Sequence, residues 1–295
     1  MSSVTATNPG VGIHALTSDE YHADPCYKPS LSASIATLLC QSSPAHAWAS
    51  HPRLNPEFKR EEKAHFDLGT IVHQLLLEGH TDSLVAIEAP DFRTKAAQEE
   101  RDAAYAAGHT PILTKNLPTV QGMVESVGAH LKAHYADPPL FTDGKAEQTL
   151  IWEEPGEIVC RARVDWLRDD LGALDDLKTT SGSANPEGVS RRLFDMGYDL
   201  KAAFYLRGLQ MLTGSTDTEF RWCFVETSPP YALSVVSPGP DVLAIGQKKV
   251  AYALELWRKC LASGDWPGYT QAVAYAELPG WEEARWLAKE EREAA

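Results

Sequence analysis

The sequence predicts an α+β domain in which helices cover a mixed sheet, and three observations carry that expectation. Three strand-like segments separated by turn clusters follow one another in the middle of the chain. Segments with helical hydrophobic spacing stand on both sides of them. A hairpin signature around Thr227-Ser228-Pro229-Pro230 comes only after a further helix.

Taken in order, residues 1–12 are small, polar and Gly/Pro-containing, which predicts a leader outside the domain. Ser30–Cys40 opens on serines and continues with apolar residues at helical spacing, a capped helix start that ends before Ser42-Ser43-Pro44. Pro52–Lys63 is charged and reads as solvated. Ala64–Gly79 predicts a helix with Ile71, Leu75 and Leu76 on one stripe and Gly79 as its stop. Residues 91–135 are Ala-rich and helical in tone, broken at Gly108–Pro111 and at Pro118. Strands are expected at Glu147–Trp152, Ile158–Leu167 and Ala173–Thr180. A loop at 181–188 leads to a helix over Tyr198–Leu212, closed by Gly214. Phe220–Val225 and Tyr231–Val236 flank the TSPP turn, Asp241–Leu261 is a long amphipathic helix, and Glu282–Ala295 is an acidic surface helix. One domain over 13–270, with an acidic tail over 271–295, accommodates all of this.

Composition narrows the class. At 43% apolar residues, 23% charged and eight Trp, the chain can bury a sizeable core. No apolar run approaches the roughly 18 to 20 residues of a membrane span. The first residues lack the basic and apolar regions of a signal peptide, so a cytoplasmic location is expected. Five cysteines (Cys26, Cys40, Cys160, Cys223, Cys260) are scattered and never form a CxxC pair, which argues against a disulfide framework or a zinc ribbon. The 41 acidic and 27 basic residues give a formal charge of −14, which excludes a simple nucleic-acid coat. A local basic lining inside an acidic exterior remains compatible with that charge, since screening confines each patch to about 8 Å.

The residues with chemical promise lie between Glu147 and Lys178. Side chains two apart on a strand share a face, so Asp176 and Lys178 point the same way about 6 to 7 Å apart. Arg161, Arg163 and Asp165 share a face of the preceding strand, and a turn at 168–172 makes the two strands antiparallel partners. Asp165 and Asp176 then converge at one end. Two such carboxylates repel unless a cation holds them, and Mg²⁺ suits one or two carboxylates plus waters. A lysine beside that ion can orient an attacking water or neutralise transition-state charge. Basic residues gather around this segment at Arg161, Arg163, Arg191, Arg192, Lys201 and Arg207. Ser32 and Ser34 stand at a helix start, where hydroxyls and unpaired N–H groups form either a cap or an anion site, with Lys28 nearby.

The segments CRARVDWL and DLKTT together resemble the fingerprint of PD-(D/E)xK nucleases, and more narrowly the exonuclease VIII, or RecE-like, family of the RecB-like subgroup. GIHALTSDEYHADP, SLSASIATLL, SSPAHAW, FDLGTIVHQLLLEG, AEQTLIWEEPGEIVCRARVDWL, GYDLKAAFYLRGL and the late DWPGY fall in that family's order, over roughly residues 12–270. The resemblance implies a restriction-endonuclease-like core, with Asp165, Asp176 and Lys178 as the catalytic set. It implies that His73 is a metal ligand, that Glu147 is a supporting carboxylate, and that the Leu177 carbonyl completes the oxygen donors. With an imidazole in the shell, Mn²⁺ should support activity beside Mg²⁺. One position departs from the pattern: Lys201 stands where the family has Gln, one turn before Tyr205, and lysine cannot accept a hydrogen bond. Related alkaline exonucleases hold a 5′ phosphate at a Ser/Thr-x-Ser helix start, which implies that role for Ser32 and Ser34, with Lys28, Arg161, Arg163, Lys201 and Tyr205 as further DNA contacts. Iron–sulfur relatives group three cysteines late in the chain, a pattern missing here, so no cluster is expected.

The expected activity is degradation of linear duplex DNA, 5′→3′ and processive, by a homo-oligomeric ring that leaves 3′ tails for a RecT-like annealing partner. A structure-specific endonuclease on the same fold and a catalytically inactive DNA-binding protein are the alternatives.

Overall fold

A computed structural model describes residues 9–59, 68–79, 84–133 and 136–293. The expected leader falls largely on residues outside this set, as does the first part of the helix expected from Ala64.

The three central strands form as expected, each a little longer: β5 (Gly144–Glu154), β6 (Ile158–Arg168) and β7 (Ala173–Thr180). They alternate apolar and polar residues or bury both faces, as strands inside a covered sheet do. Around them stand β1 (Gly12–His14), β2 (Leu31–Ser32), β8 (Glu219–Glu226) and β9 (Leu233–Val236), in the order β1-β5-β6-β7-β8-β9 with β2 beside β6. β7 and β8 run parallel over their whole length, because the chain between them crosses over through α7 (Pro186–Asp195) and α8 (Tyr198–Thr213). The sheet is therefore mixed. The loop expected at 181–188 is shorter than read, since Asn185 caps α7 and Pro186 occupies its first turn.

Helices cover both faces. On one, α2 (Ala33–Gln41), α8 and α9 (Pro240–Ser263) pack with Trp152, Phe204, Phe220, Trp222 and Trp257. On the other, α4 (Leu68–His73) and α6 (Leu117–Ala133) meet Leu177, Cys223 and Val225. Smaller elements are α1 (Ser18–His22), α3 (Pro44–Ala49), α5 (Lys95–Ala106) and a separate parallel pair, β3 (Leu84–Ile87) with β4 (Thr110–Leu113). The stretch read as helical across 91–135 thus contains a strand, where Pro111 and the apolar residues after it leave the helical pattern. Past α9 the chain continues to α10 (Gly280–Glu293), none of whose residues is buried.

One detail of the sheet positions the site. β6 and β7 pair only at Trp166↔Asp175 and Leu167↔Leu174, and beyond that they splay. Lower on β6, β2 takes up that role at Leu31↔Cys160 and Ser32↔Arg161. Between the two, the edge of β6 around Arg163 and Asp165 has no ladder partner on this side among the described residues.

Candidate active site

The splay turns Asp165 and Asp176 toward one point. Asp165 Oδ2 accepts the Leu177 amide at 3.0 Å, a bond possible only because β7 has left the β6 ladder there. The aspartate doublet on β7 divides its work by strand alternation. Asp175 points to the opposite face, where Arg221 and the Phe141 amide bind it. Asp176, fully buried, faces Lys178 and Lys201.

Three oxygens surround the Lys178 ammonium. Asp165 Oδ2 lies 3.7 Å from Nζ, the Leu177 carbonyl accepts from it at 3.2 Å, and Asp176 Oδ1 is ion-paired with it. Asp176 Oδ1 accepts no well-directed hydrogen bond among the described residues, although it is buried and the ammonium is beside it. Those are the three oxygen donors expected around a metal, converging here on one cationic nitrogen.

His73 reaches the same point from α4. Its Nε2 lies 3.2 Å from Asp165 Oδ2, close to the ~3 Å that separates neighbouring ligands on an ion with bonds of about 2.1 Å. Its Nδ1 lies 3.0 Å from Glu147 Oε1. Glu147 is also bound by Arg163 and sits opposite Asp165 with φ 56, a left-handed conformation unusual for a non-glycine residue in a strand. Helix α4 continues as a π-helical turn over Gln74–Glu78, and Glu78 joins His73 and Glu147 with one potential ligand atom each, all within 4.8 Å. Nothing in the sequence distinguished Glu78, because it is the π turn that changes where its side chain falls.

Electrostatics follow from this crowding. Burial alone would raise the Asp165 carboxyl, but Lys178, Lys201 and His73 outweigh it and hold the group well below the usual carboxylate range. Burial would lower the His73 imidazole, and Asp165 with Glu147 instead hold it above its ordinary value. The Glu147 carboxyl is raised, burial outweighing His73 and Arg163. A divalent cation fits this donor set: His73 nitrogen, the Asp165 and Asp176 carboxylates and the Leu177 carbonyl would hold it, with Glu147 fixing the His73 ring from its far nitrogen.

The expected DNA contacts divide. Ser32 caps α2, its Oγ accepting from Ile35 N at 3.4 Å, and Ser34 Oγ lies 3.1 Å from Ser32 Oγ. Both line a cavity of about 80 Å³ together with Tyr21, His22 and Arg161. Arg161 is buried and held by Asp24 and Ser30, while its Nε has no hydrogen-bond partner among the described residues. Asp24 is in turn contacted by the buried His51, so four residues that sequence reasoning passed over or saw singly form one network.

Four other expectations need correction. Lys28 pairs with Glu157 on the surface and does not line the cavity. Arg163 is occupied by Glu147 and the Leu16 carbonyl. Arg207 is occupied by Glu154. Tyr205 is buried against Phe220 with Lys201 over its ring, so it supports that lysine from the core and presents no face to a phosphate. Residues four apart on a helix share a face, but that face is here turned into the protein.

Residues 32–279 match the family model described as a PDDEXK-like domain of unknown function, DUF3799. The chain belongs to that family. Its α+β fold with a mixed sheet is that of the PD-(D/E)xK nucleases, and the resemblance read from the sequence stands. A candidate exonuclease of Eubacterium rectale superposes with a TM-score of 0.61 at 13% identity, over 90% of this chain and 97% of that one, a likeness of fold. A phage-related exonuclease of Haemophilus somnus (TM-score 0.29, 13% identity, 61% and 92% covered) and an alkaline exonuclease of Laribacter hongkongensis (0.24, 14%, 58% and 85%) overlap too loosely to carry an argument. No curated protein matches. Among the described residues of the DUF3799 chain, no helix is long and apolar enough to cross a membrane.

Proposed function

We propose that this DUF3799 protein is a metal-dependent deoxyribonuclease that degrades linear duplex DNA from its ends, 5′→3′ and processively, using Mg²⁺ or Mn²⁺. The observation that carries the reading is the convergence of Asp165, Asp176 and the Leu177 carbonyl on the Lys178 ammonium, with His73 beside it. A bound divalent ion supplies Lewis acidity and a more acidic water. The protein's own contribution is positional. Asp165 and Asp176 hold the cation, Glu147 orients the His73 ring, and Lys178, once released from the carboxylates, is free to donate to a phosphate oxygen or orient the attacking water.

Support for an end-directed enzyme comes from the cavity at Ser32, Ser34 and Arg161. Arg161 and Asp165 are four residues apart on one face of β6, about 13 Å. A terminal 5′ phosphate bound by the two hydroxyls and the unpaired Arg161 Nε would set the adjacent linkage toward the aspartates. Double-stranded ends, a homo-oligomeric ring and a RecT-like single-strand annealing partner complete the proposed setting.

Timed digestion of end-labelled linear duplex in Mg²⁺, beside a circular plasmid, tests the reading. Wild-type protein should shorten the linear DNA and spare the circle; a nicked or linearised plasmid would point to an endonuclease. Asp176→Asn should lower the rate at least about a hundredfold while DNA binding persists, and retention of more than a tenth of the rate contradicts the assignment. Replacing Ser32 and Ser34 with alanine should shrink the preference for phosphorylated over hydroxyl ends. Because a lost cap also costs about 1 kcal/mol of stability, the comparison is the ratio of the two substrates on the same folded variant. An unchanged ratio reduces the serines to caps.

A further inference from the structure

Lys201 is a cation beside the site that the proposed reaction leaves without a task, and its surroundings show what it holds. It projects from α8 onto β7, and its ammonium lies 2.5 Å from Asp176 Oδ2. The other oxygen of the same carboxylate faces Lys178. Asp176 is wholly inaccessible to solvent, and the Lys201 side chain is only 21% exposed and lies over the Tyr205 ring, with Nζ 5.0 Å from its centroid. This ammonium is therefore fixed by packing on one side and by a buried carboxylate on the other.

The two oxygens of Asp176 thus have different fates. Oδ1 turns toward the point shared with Asp165 and the Leu177 carbonyl, where Lys178 lies and a divalent ion would take its place. Oδ2 is committed to Lys201. A metal pair of the kind used by many phosphodiester hydrolases, about 3.5–4 Å apart, needs carboxylate oxygens on both sides of the shared site. Here the second side is closed by a positive charge that belongs to the protein. A lysine has no lone pair to offer a metal, whereas a glutamine at this position would have one.

We infer that Lys201 is a built-in substitute for a second divalent ion: it holds Asp176 Oδ2, repels another cation, and makes this a single-metal site. The inference rests on reading the site as a cation-dependent nuclease, and it concerns how many ions that site takes.

Counting Mn²⁺ tests this without relying on hydrolysis. The full chain is titrated with Mn²⁺ by calorimetry, and its electron paramagnetic resonance spectrum is recorded with and without a blunt duplex whose terminal linkages are phosphorothioates. Wild-type protein and Lys201→Arg should bind one ion per chain with the six-line signal of an isolated Mn²⁺. Lys201→Gln should bind two, with an exchange-coupled spectrum. If Lys201→Gln does not fold, Lys201→Met, which frees Oδ2 while keeping the packed stem, carries the same expectation. Two coupled ions in the wild type overturn the inference, and so does a folded Gln or Met variant that still binds one. A chain that binds one ion but cuts no DNA would sink the nuclease reading and leave the ion count standing.

Discussion

His73 stands between two carboxylates, with Asp165 on one ring nitrogen and Glu147 on the other. In the metal-free protein this arrangement holds a proton on the ring above the pH at which an ordinary histidine loses it. A nitrogen ligand has to be neutral, so metal binding must release that proton. Mn²⁺ affinity should therefore rise as pH increases beyond the ordinary histidine range, with proton release visible as a dependence of binding enthalpy on buffer ionisation. His73→Ala should weaken Mn²⁺ binding and abolish the buffer dependence. Glu147→Gln should lower affinity by about 10- to 100-fold with the fold intact, as expected for a residue that orients a ligand. Equal affinities for wild type and both variants would remove His73 and Glu147 from the site. The raised pKa also has a stability sign. A group whose folded-state pKa exceeds its unfolded value stabilises fully below the latter, about 6.5, and loses that contribution as pH rises through the folded value. The metal-free protein should accordingly lose part of its thermal stability on the alkaline side, and added Mn²⁺ should restore it.

At the level of elements, the site depends on where α8 lies, because α8 carries Lys201 to Asp176. Its position is set by close contact with α9. A Cβ at Gly246 would stand 2.3 Å from the Asp199 carbonyl and 2.9 Å from the Ala203 methyl, so only glycine lets the two helices approach this far. The buried Asp199 at the start of α8 is also paired with Lys249 of α9 at 2.6 Å. Gly246→Ala should push the helices apart and destabilise by about 1–3 kcal/mol, as overpacking does. It should also reduce nuclease rate more than DNA binding, since Lys201 retreats from Asp176. Scanning calorimetry beside a rate assay decides this; an unchanged melting temperature would mean the contact is slack. Gly246 was unremarkable in the sequence, where it is one glycine inside a long amphipathic helix. The strands of the site were legible because their alternation and turn clusters are local. The small β3–β4 pair was not, since its strands sit in an Ala-rich background and are brought together by the fold around them.

For the whole molecule, the charge of −14 is spread over a body whose site holds Lys178, Lys201 and the buried Arg161. A net acidic charge works against coating of a duplex, which needs Lys and Arg to neutralise phosphates. The C-terminal stretch stands apart in energetic terms. After Tyr269, whose ring meets His46, every residue through Glu293 is exposed or half-exposed. Removal of residues 271–295 should leave the melting temperature within about a degree and single-turnover cleavage intact, because almost no buried apolar area is lost. A large drop in melting temperature would show that this segment is covered in the functional assembly.

The sequence by itself marked out the three central strands, the main helices around them and the residues of the candidate site. Asp-x-Lys on a strand, an aspartate on the strand before it and a histidine on a helix are local patterns, and strand alternation is enough to choose Asp176 over Asp175 for the site. It could not decide which cations were free. Arg163 and Arg207 near the motif, and Lys28 near Ser32, looked available, and each pairs with a glutamate: Glu147, Glu154 and Glu157. Nor could it show that Lys201 would take one oxygen of Asp176, or that Glu78 would come to His73 through a π turn. The physical reason is one of range. Periodicity reports what neighbours within a turn or a strand do, whereas these ion pairs join residues 16, 53 and 129 positions apart, and the site depends on the splay of β6 from β7 that opens the space its residues share.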